Sequence, residues 1–495
     1  MTQLMLGIDQ STQGTKAVLF DSAGRLYQRF SKNHRQIIND QGWISHDLDE
    51  IRQNVMLLAG KAQRLVAKNG DEIVGIGITN QRETAAAWSK KDGHPLAKSV
   101  VWQCSRATEI CDELIASGVG EMVQRKTGMP LSPYFTAAKF DWLIQNEPAV
   151  KRALVENDLC LGTMDSWLIY QLTAGKSFKT EPSNACRTQL LDIESEKWDS
   201  QLCETFNVPM ASLPEIVDSN SCFGYTDFDG VFGQKIPIHG VLADSQAALF
   251  GQHCVDFAAV KATYGTGSSI MMNIGDQAIR STNGLMTSIA WRFHGQTNYV
   301  LEGNVNYSGA VVKWLKEDLG LIEKASETSD LAEAANPADQ TYLIPAFSGL
   351  GAPYWDDKAQ AVIWGMTRTT RKPELVRAAL NSIAFQINDV VQQMLADIGC
   401  RETVLKVDGG VTNNDYLMQF QSDITAAKLL LPNVEELSAF GAVSVAALEL
   451  GLYTEATIKQ AITYVAYQPK MSVATRQKQV AGWQHVMSIV TQNCQ

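Results

Sequence analysis

The sequence predicts an α/β protein of two domains, and three features predict it. Strand-like and helix-like segments alternate along the chain, as in mixed α/β architectures. Two similar hairpins stand about half a chain apart, which suggests two domains that begin the same way. At 495 residues the chain is also too long for one hydrophobic core.

The first hairpin is Leu4-Met5-Leu6-Gly7-Ile8, a turn from Asp9 to Thr15, then Lys16-Ala17-Val18-Leu19-Phe20. Apolar strands flank a turn of Gly, Ser and Thr, whose backbone N–H groups and hydroxyls suit an anion. Asp47 and Glu50 fit a capping box that opens a helix, so these acids have a structural task. Glu72 to Ile78 reads as a short buried strand, and Thr79-Asn80-Gln81-Arg82-Glu83-Thr84 follows it. After a gap comes Val101-Trp102-Gln103-Cys104. Arg brings a fork of donors, Glu brings acceptors and Trp a flat apolar wall, a set suited to a small polyhydroxylated molecule. Taken alone, an Arg-Glu pair near a core Trp reads first as a surface ion pair.

Asp244 ends an apolar run where a helix from Ser245 to Gly251 starts, so by itself it reads as an N-cap. The domain boundary falls after that helix, giving residues 1–254 and 255–495. The second hairpin runs Ala258 to Thr263, turns through Tyr264-Gly265-Thr266-Gly267, and returns from Ser268 to Met272. Gly309 precedes a helix from Ala310 to Glu317. The segment Gly349 to Asp356 reads as a structural loop set by Gly and Pro, with Trp355 packed. Val407-Asp408-Gly409-Gly410 leads through Asn414 into a helix; such a turn lets a flat ring approach the backbone, or simply allows close packing. A buried helix spans Ala439 to Leu450, with Ser438 as N-cap and Gly451 as stop.

Composition removes several classes of function. The net charge of −11 (42 basic against 53 acidic residues) argues against a nucleic-acid surface. Nine cysteines, an odd number with no CxxC pair, argue against a disulfide framework or zinc site and for a reducing, cytoplasmic compartment. No stretch is long and apolar enough to span a bilayer, and the N-terminus lacks a signal peptide pattern. A homo-oligomer is compatible with the sequence, which does not decide the point.

The Asn80-Gln81-Arg82-Glu83-Thr84 and Val101–Cys104 runs resemble the polyol-binding segments of the FGGY carbohydrate kinase family, its glycerol kinases above all. The likeness extends from Gly7 to about Gly451. Tyr134-Phe135-Thr136 with Lys139-Phe140-Asp141-Trp142-Leu143 fits a longer pattern of that family, and Ala361 to Asn381 fits another except at Asn381. The resemblance implies two actin-like (ribonuclease-H-like) ATPase domains facing across a cleft. It implies ATP and Mg2+ as cofactors and a small polyol or sugar as substrate.

By the same resemblance Asp244 is the catalytic aspartate, and Arg82, Glu83, Trp102, Tyr134, Ser245 and Ser269 line the substrate pocket with it. Thr12, Gln13, Lys16, Thr266, Gly267 and Gly309 would hold phosphates. Gly409, Gly410 and Asn414 would hold adenosine, and Asp9 would orient a hydrated magnesium. Two positions depart from the glycerol kinases: Ser245 stands where they have Gln, and Ser269 where they have Phe. Shorter side chains leave room for more carbons or for water. Glycerol is thus the first acceptor expected, with a tetritol or pentulose as the alternative. A nucleotide-binding sensor that has lost catalysis is a further alternative, against which Asp9, Thr12, Thr266 and Asp244 are all present.

Overall fold

The computed structural model describes residues 2–492; Met1 and Cys494 therefore lie outside the described residues. Two large sheets dominate it. In the first, the strands run in the order Gly224–Thr226, Ile236–Ala243, Glu72–Asn80, Gln3–Gln10, Gly14–Phe20, Leu26–Asn33. Gln3–Gln10 pairs antiparallel with Gly14–Phe20 and parallel with Glu72–Asn80, which is parallel to Ile236–Ala243. In the second, Val260–Tyr264 pairs antiparallel with Ser268–Asn273 and parallel with Val404–Asp408, and Lys428–Pro432 follows in parallel. Each hairpin thus sits in the middle of its own sheet with the same arrangement around it. That repeat matches the two similar hairpins of the sequence.

The central strands are buried on both faces and read as near-continuous apolar runs, as parallel strands covered on both faces must. The helix opened by Asp47 spans Leu48–Asn69, and Asp47 accepts hydrogen bonds from the Asp49 and Glu50 amides. The reciprocal bond from Glu50 that a full capping box needs is not formed.

One element crosses between the halves. The helix Leu437–Glu449, late in the chain, packs on the first sheet: a Cβ on Gly77 would lie 2.6 Å from the Ala442 backbone, and one on Gly7 3.1 Å from Val443. This helix starts earlier than its apolar run suggests. Glu436, not Ser438, occupies the N-cap position. Ser438 lies in the first turn and donates from its Oγ to the Asp244 carbonyl at 3.1 Å. Trp355 also differs from expectation. It is 48% exposed, and its ring is held by one bond from Nε1 to the Gly284 carbonyl at 2.5 Å.

Candidate active site

Strand Glu72–Asn80 delivers its last residues beside Asp9 and Gln10 of the neighbouring strand. The chain then turns through residues 81–84, all buried. Glu83 takes φ = +57°, uncommon for a residue with a Cβ. Arg82 donates two parallel bonds to Glu302, from Nη1 to Oε2 at 3.0 Å and from Nη2 to Oε1 at 2.8 Å. Its Nε lies 3.5 Å from Asp244 Oδ1 and 3.8 Å from Glu83 Oε1. A second arginine completes the set. Arg187 donates from Nε to Glu83 Oε1 at 2.5 Å, and from Nη1 to Glu302 Oε2 at 2.9 Å and Ser288 Oγ at 3.0 Å.

Two arginines and two glutamates therefore balance in a buried network, and Asp244 stands at its edge. Exposure separates the roles: the Arg82 and Glu302 side chains are 6% and 0% exposed, that of Asp244 is 36%. Asp244 is thus the acid of this group that is open to solvent. It is the first residue of the helix Asp244–Gly251 rather than its N-cap, a position that Ala243 takes. Its Oδ1 accepts from the Ser245 amide at 2.6 Å.

An aromatic wall adjoins the network. The rings of Trp102 and Tyr134 meet edge-on, 5.6 Å between centroids. Thr84 fixes the tryptophan's backbone, accepting from its amide at 3.3 Å, and Trp102 Nε1 donates to Thr12 Oγ1 at 2.9 Å. This last bond joins the polyol-side candidates to the turn of the first hairpin. Ser269 lies on the strand Ser268–Asn273, one strand over from Glu302: the register pairs Ser269 with Asn304 and Met271 with Glu302. Its Oγ is buried and has no hydrogen-bond partner among the described residues.

Asp9 and Lys16 face each other across the first hairpin, with Nζ 3.6 Å from Asp9 Oδ2. Lys16 is not free: its Nζ donates to Glu436 Oε2 at 2.7 Å, and Arg29 holds the other oxygen of that carboxylate at 2.7 Å. Burial pushes the Asp9 carboxyl up to about 6, with Asp244 and Glu436 adding to the rise and Lys16 opposing it. Gln13 is exposed, and its carbonyl accepts from the His34 amide at 3.2 Å.

In the second half, the Gly265 and Thr266 carbonyls accept from the Gly309 and Ala310 amides at 2.9 and 3.0 Å. This docks the helix Gly309–Glu317 on the turn that carries Thr266 and Gly267. A Cβ on Gly309 would come within 2.7 Å of the Gly265 carbonyl, so only glycine allows this approach. Gly409 has φ = +104°, and a Cβ there would stand 2.2 Å from the Tyr264 carbonyl. The third glycine turn therefore lies against the second. Gly410 faces open space. Asn414 is the N-cap of the helix Asp415–Thr425, accepting from the Leu417 amide at 2.9 Å and donating to Thr328 Oγ1 at 2.9 Å.

The structure thus joins Arg82 with Glu83 and Asp244, and Trp102 with Tyr134 and Thr12, by direct contacts, and Lys139 links the two groups through the Glu83 and Tyr134 carbonyls. Gly309 and Gly409 lie against the turn that carries Thr266. Arg187, Glu302 and Glu436 were not singled out from sequence. A signal existed for two of them. Glu302 interrupts Tyr299-Val300-Leu301 and Arg187 follows Ala185-Cys186, and a charge in an apolar run needs a buried partner.

Residues 4–251 match the family model of the N-terminal domain, and residues 260–450 that of the C-terminal domain, of the FGGY family of carbohydrate kinases. The chain belongs to the FGGY family of carbohydrate kinases. Glycerol kinase 1 of Thermotoga maritima is 42% identical to it over 484 residues, covering 97% of this chain and 98% of that protein. The glycerol kinase of Shewanella sp. (strain ANA-3) is 41% identical over 491 residues, 98% of each. The crystal structure of Plasmodium falciparum glycerol kinase with ADP superposes with a TM-score of 0.94 at 36% identity, covering 99% of this chain and 98% of that one. This FGGY carbohydrate kinase is accordingly an ATP-dependent phosphotransferase with the two-domain actin-like fold. Among the described residues no helix is long and apolar enough to cross a membrane.

Proposed function

We propose that this kinase transfers the γ-phosphoryl group of ATP to a primary hydroxyl of glycerol, giving glycerol 3-phosphate and ADP. One observation carries the reading: the solvent-open acid Asp244 sits beside a fixed pair of donor and acceptor, Arg82 and Glu83, and the Trp102–Tyr134 ring pair lies next to that pair. A polyol needs donors and acceptors for its hydroxyls and an apolar surface for its carbons.

In this reading Arg82, Glu83, Trp102 and Tyr134 hold glycerol. Asp244 takes the proton of the attacking hydroxyl as its oxygen bonds to the γ-phosphorus and the bond to the β-phosphate oxygen breaks. Thr12, Gln13, Lys16, Thr266, Gly267 and Gly309 hold phosphates from the two facing loops. Gly409, Gly410 and Asn414 hold adenosine, Gly410 having the open space a base requires. The two domains are residues 1–254 and 255–495, and the working compartment is the cytoplasm.

The residues present also fit a magnesium ion. Asp9 is buried, its carboxyl raised towards neutrality by burial and by the nearby acids Asp244 and Glu436, so a divalent cation would relieve an excess of negative charge. One carboxylate suffices for a metal that keeps most of its waters. When bound, magnesium neutralises phosphate charge.

A second reading, a longer polyol or ketose as acceptor, is favoured by the unpartnered Ser269 Oγ. A coupled assay of ADP release, with glycerol and then with C4 to C6 polyols and ketoses, tests both. ADP release that depends on glycerol supports the first, and turnover only with longer acceptors supports the second.

A further inference from the structure

Lys139 lies on the helix Thr136–Asn146 and is fully buried. A buried ammonium is normally paired with a carboxylate. Among the described residues none lies within salt-bridge distance of Lys139. Its Nζ donates instead to three main-chain carbonyls: that of Glu83 at 3.3 Å, that of Phe135 at 3.1 Å, and that of Tyr134. Two of these belong to candidate polyol residues that come from separate segments. Glu83 is also the residue in the left-handed region, a conformation held only where its surroundings fix it.

We propose that Lys139 is a positioning residue for the polyol site, tying the Glu83 peptide to the Tyr134-Phe135 turn so that carboxylate and ring keep their relative places. The inference rests on the polyol-kinase reading above.

It has a consequence in pH. An ammonium has three N–H donors and an amine two, so deprotonation must release one of the three carbonyls. Burial pulls the Lys139 ammonium down to about 7. The Glu83, Cys104 and Cys111 side chains around it oppose the fall, and Arg106 adds to it. The protonated, fully tied form thus gives way to the loosened form as pH rises through neutrality, and polyol binding weakens in that direction.

The test is the KM for the polyol and for ATP in the wild-type protein, from about pH 6 to about pH 9. Loss of one hydrogen bond to a charged donor should raise the polyol KM roughly tenfold across that range, with the ATP KM unchanged. Lys139→Arg keeps a charged donor head at every pH and should flatten the polyol profile. Lys139→Met has no donor and should show a high polyol KM throughout, again with the ATP KM unchanged. A wild-type polyol KM that is flat, or that moves together with the ATP KM, overturns the inference, and this measurement stands even if both variants fail to fold. Turnover with a flat profile overturns this inference alone. Absence of turnover with any acceptor overturns the functional reading and this inference with it.

Discussion

Arg82 and Glu302 clasp each other across the two halves of the molecule through two parallel hydrogen bonds of 3.0 and 2.8 Å. Arg82 follows a central strand of the first sheet, and Glu302 lies within the strand Gln296–Val305 of the second. The pair is therefore both a domain tie and the support that aims the Arg82 Nε at Asp244.

Glu302 serves two arginines at once. Burial works against its charge, but Arg187 and Arg82 override it and hold its carboxyl down to about 2. Glu302→Gln keeps the shape and leaves two buried guanidiniums short of a counter-charge. Breaking a buried pair from one side costs about 3–5 kcal/mol. A urea titration should show a clearly lower midpoint for the variant, and an unchanged midpoint would contradict the role given to Glu302.

Asp244→Asn preserves the size of the side chain and removes the basic oxygen. Loss of a general base typically lowers rate by about 100- to 10,000-fold. Nucleotide affinity, measured by calorimetry with ADP, should stay close to wild type. A variant with near-normal kcat rules out Asp244 as the base.

Asp389, on the helix Lys372–Ile398, gives a pH prediction. Its Oδ2 accepts from Trp483 Nε1 at 2.6 Å and from the Tyr354 hydroxyl at 2.8 Å, yet burial pushes the carboxyl up to about 7 against both donors. Between the unfolded carboxyl's ordinary value, about 4, and about 7, the folded state binds more protons than the unfolded one, so stability falls as pH rises through that window. Asp389→Asn removes this titration. Thermal midpoints followed from about pH 4 to about pH 8 should fall more in the wild type than in the variant. Parallel curves would show that the carboxyl is ionised in the folded state throughout.

Ser245 and Ser269 stand where the resembling glycerol kinases carry Gln and Phe. Restoring both, Ser245→Gln with Ser269→Phe, adds a hydroxyl partner and an apolar wall for a three-carbon chain. The kcat/KM ratio of glycerol to a tetritol should rise by roughly 10- to 100-fold, the range that pocket contacts of this kind control. An unchanged ratio would mean that ordered water already fills the space.

Much of the fold was legible because its signals are local. The two hairpins, the strand before Arg82 and the helix behind Asp47 follow from periodicity and capping. Arg82, Glu83 and Trp102 stood out by their chemistry and, with Tyr134, by family likeness; the structure pairs Arg82 with Glu83 and Trp102 with Tyr134, and links the two pairs through Lys139. What sequence did not give was pairing at long range. Glu302 and Arg187 lie 115 positions apart in the chain, and no local pattern joins them. Lys16 was expected to hold a phosphate, and no local pattern showed that its Nζ pairs with Glu436, 420 positions away. Trp355 was expected to be packed because its neighbours Gly and Pro set a tight loop, but loop geometry does not decide which way a side chain points. The N-cap moved from Ser438 to Glu436 because the crossing helix docks on the first sheet, a tertiary constraint absent from its own sequence.

The central claim is that a primary hydroxyl of glycerol receives the γ-phosphoryl group in this cleft. Phosphorus NMR of the wild-type protein with ATP, magnesium and glycerol tests it most directly. The account predicts ADP and one new phosphomonoester signal split into a triplet by the two protons of the adjacent CH2. A doublet would place the phosphate on the secondary hydroxyl. Inorganic phosphate alone, or unchanged ATP, would contradict the account.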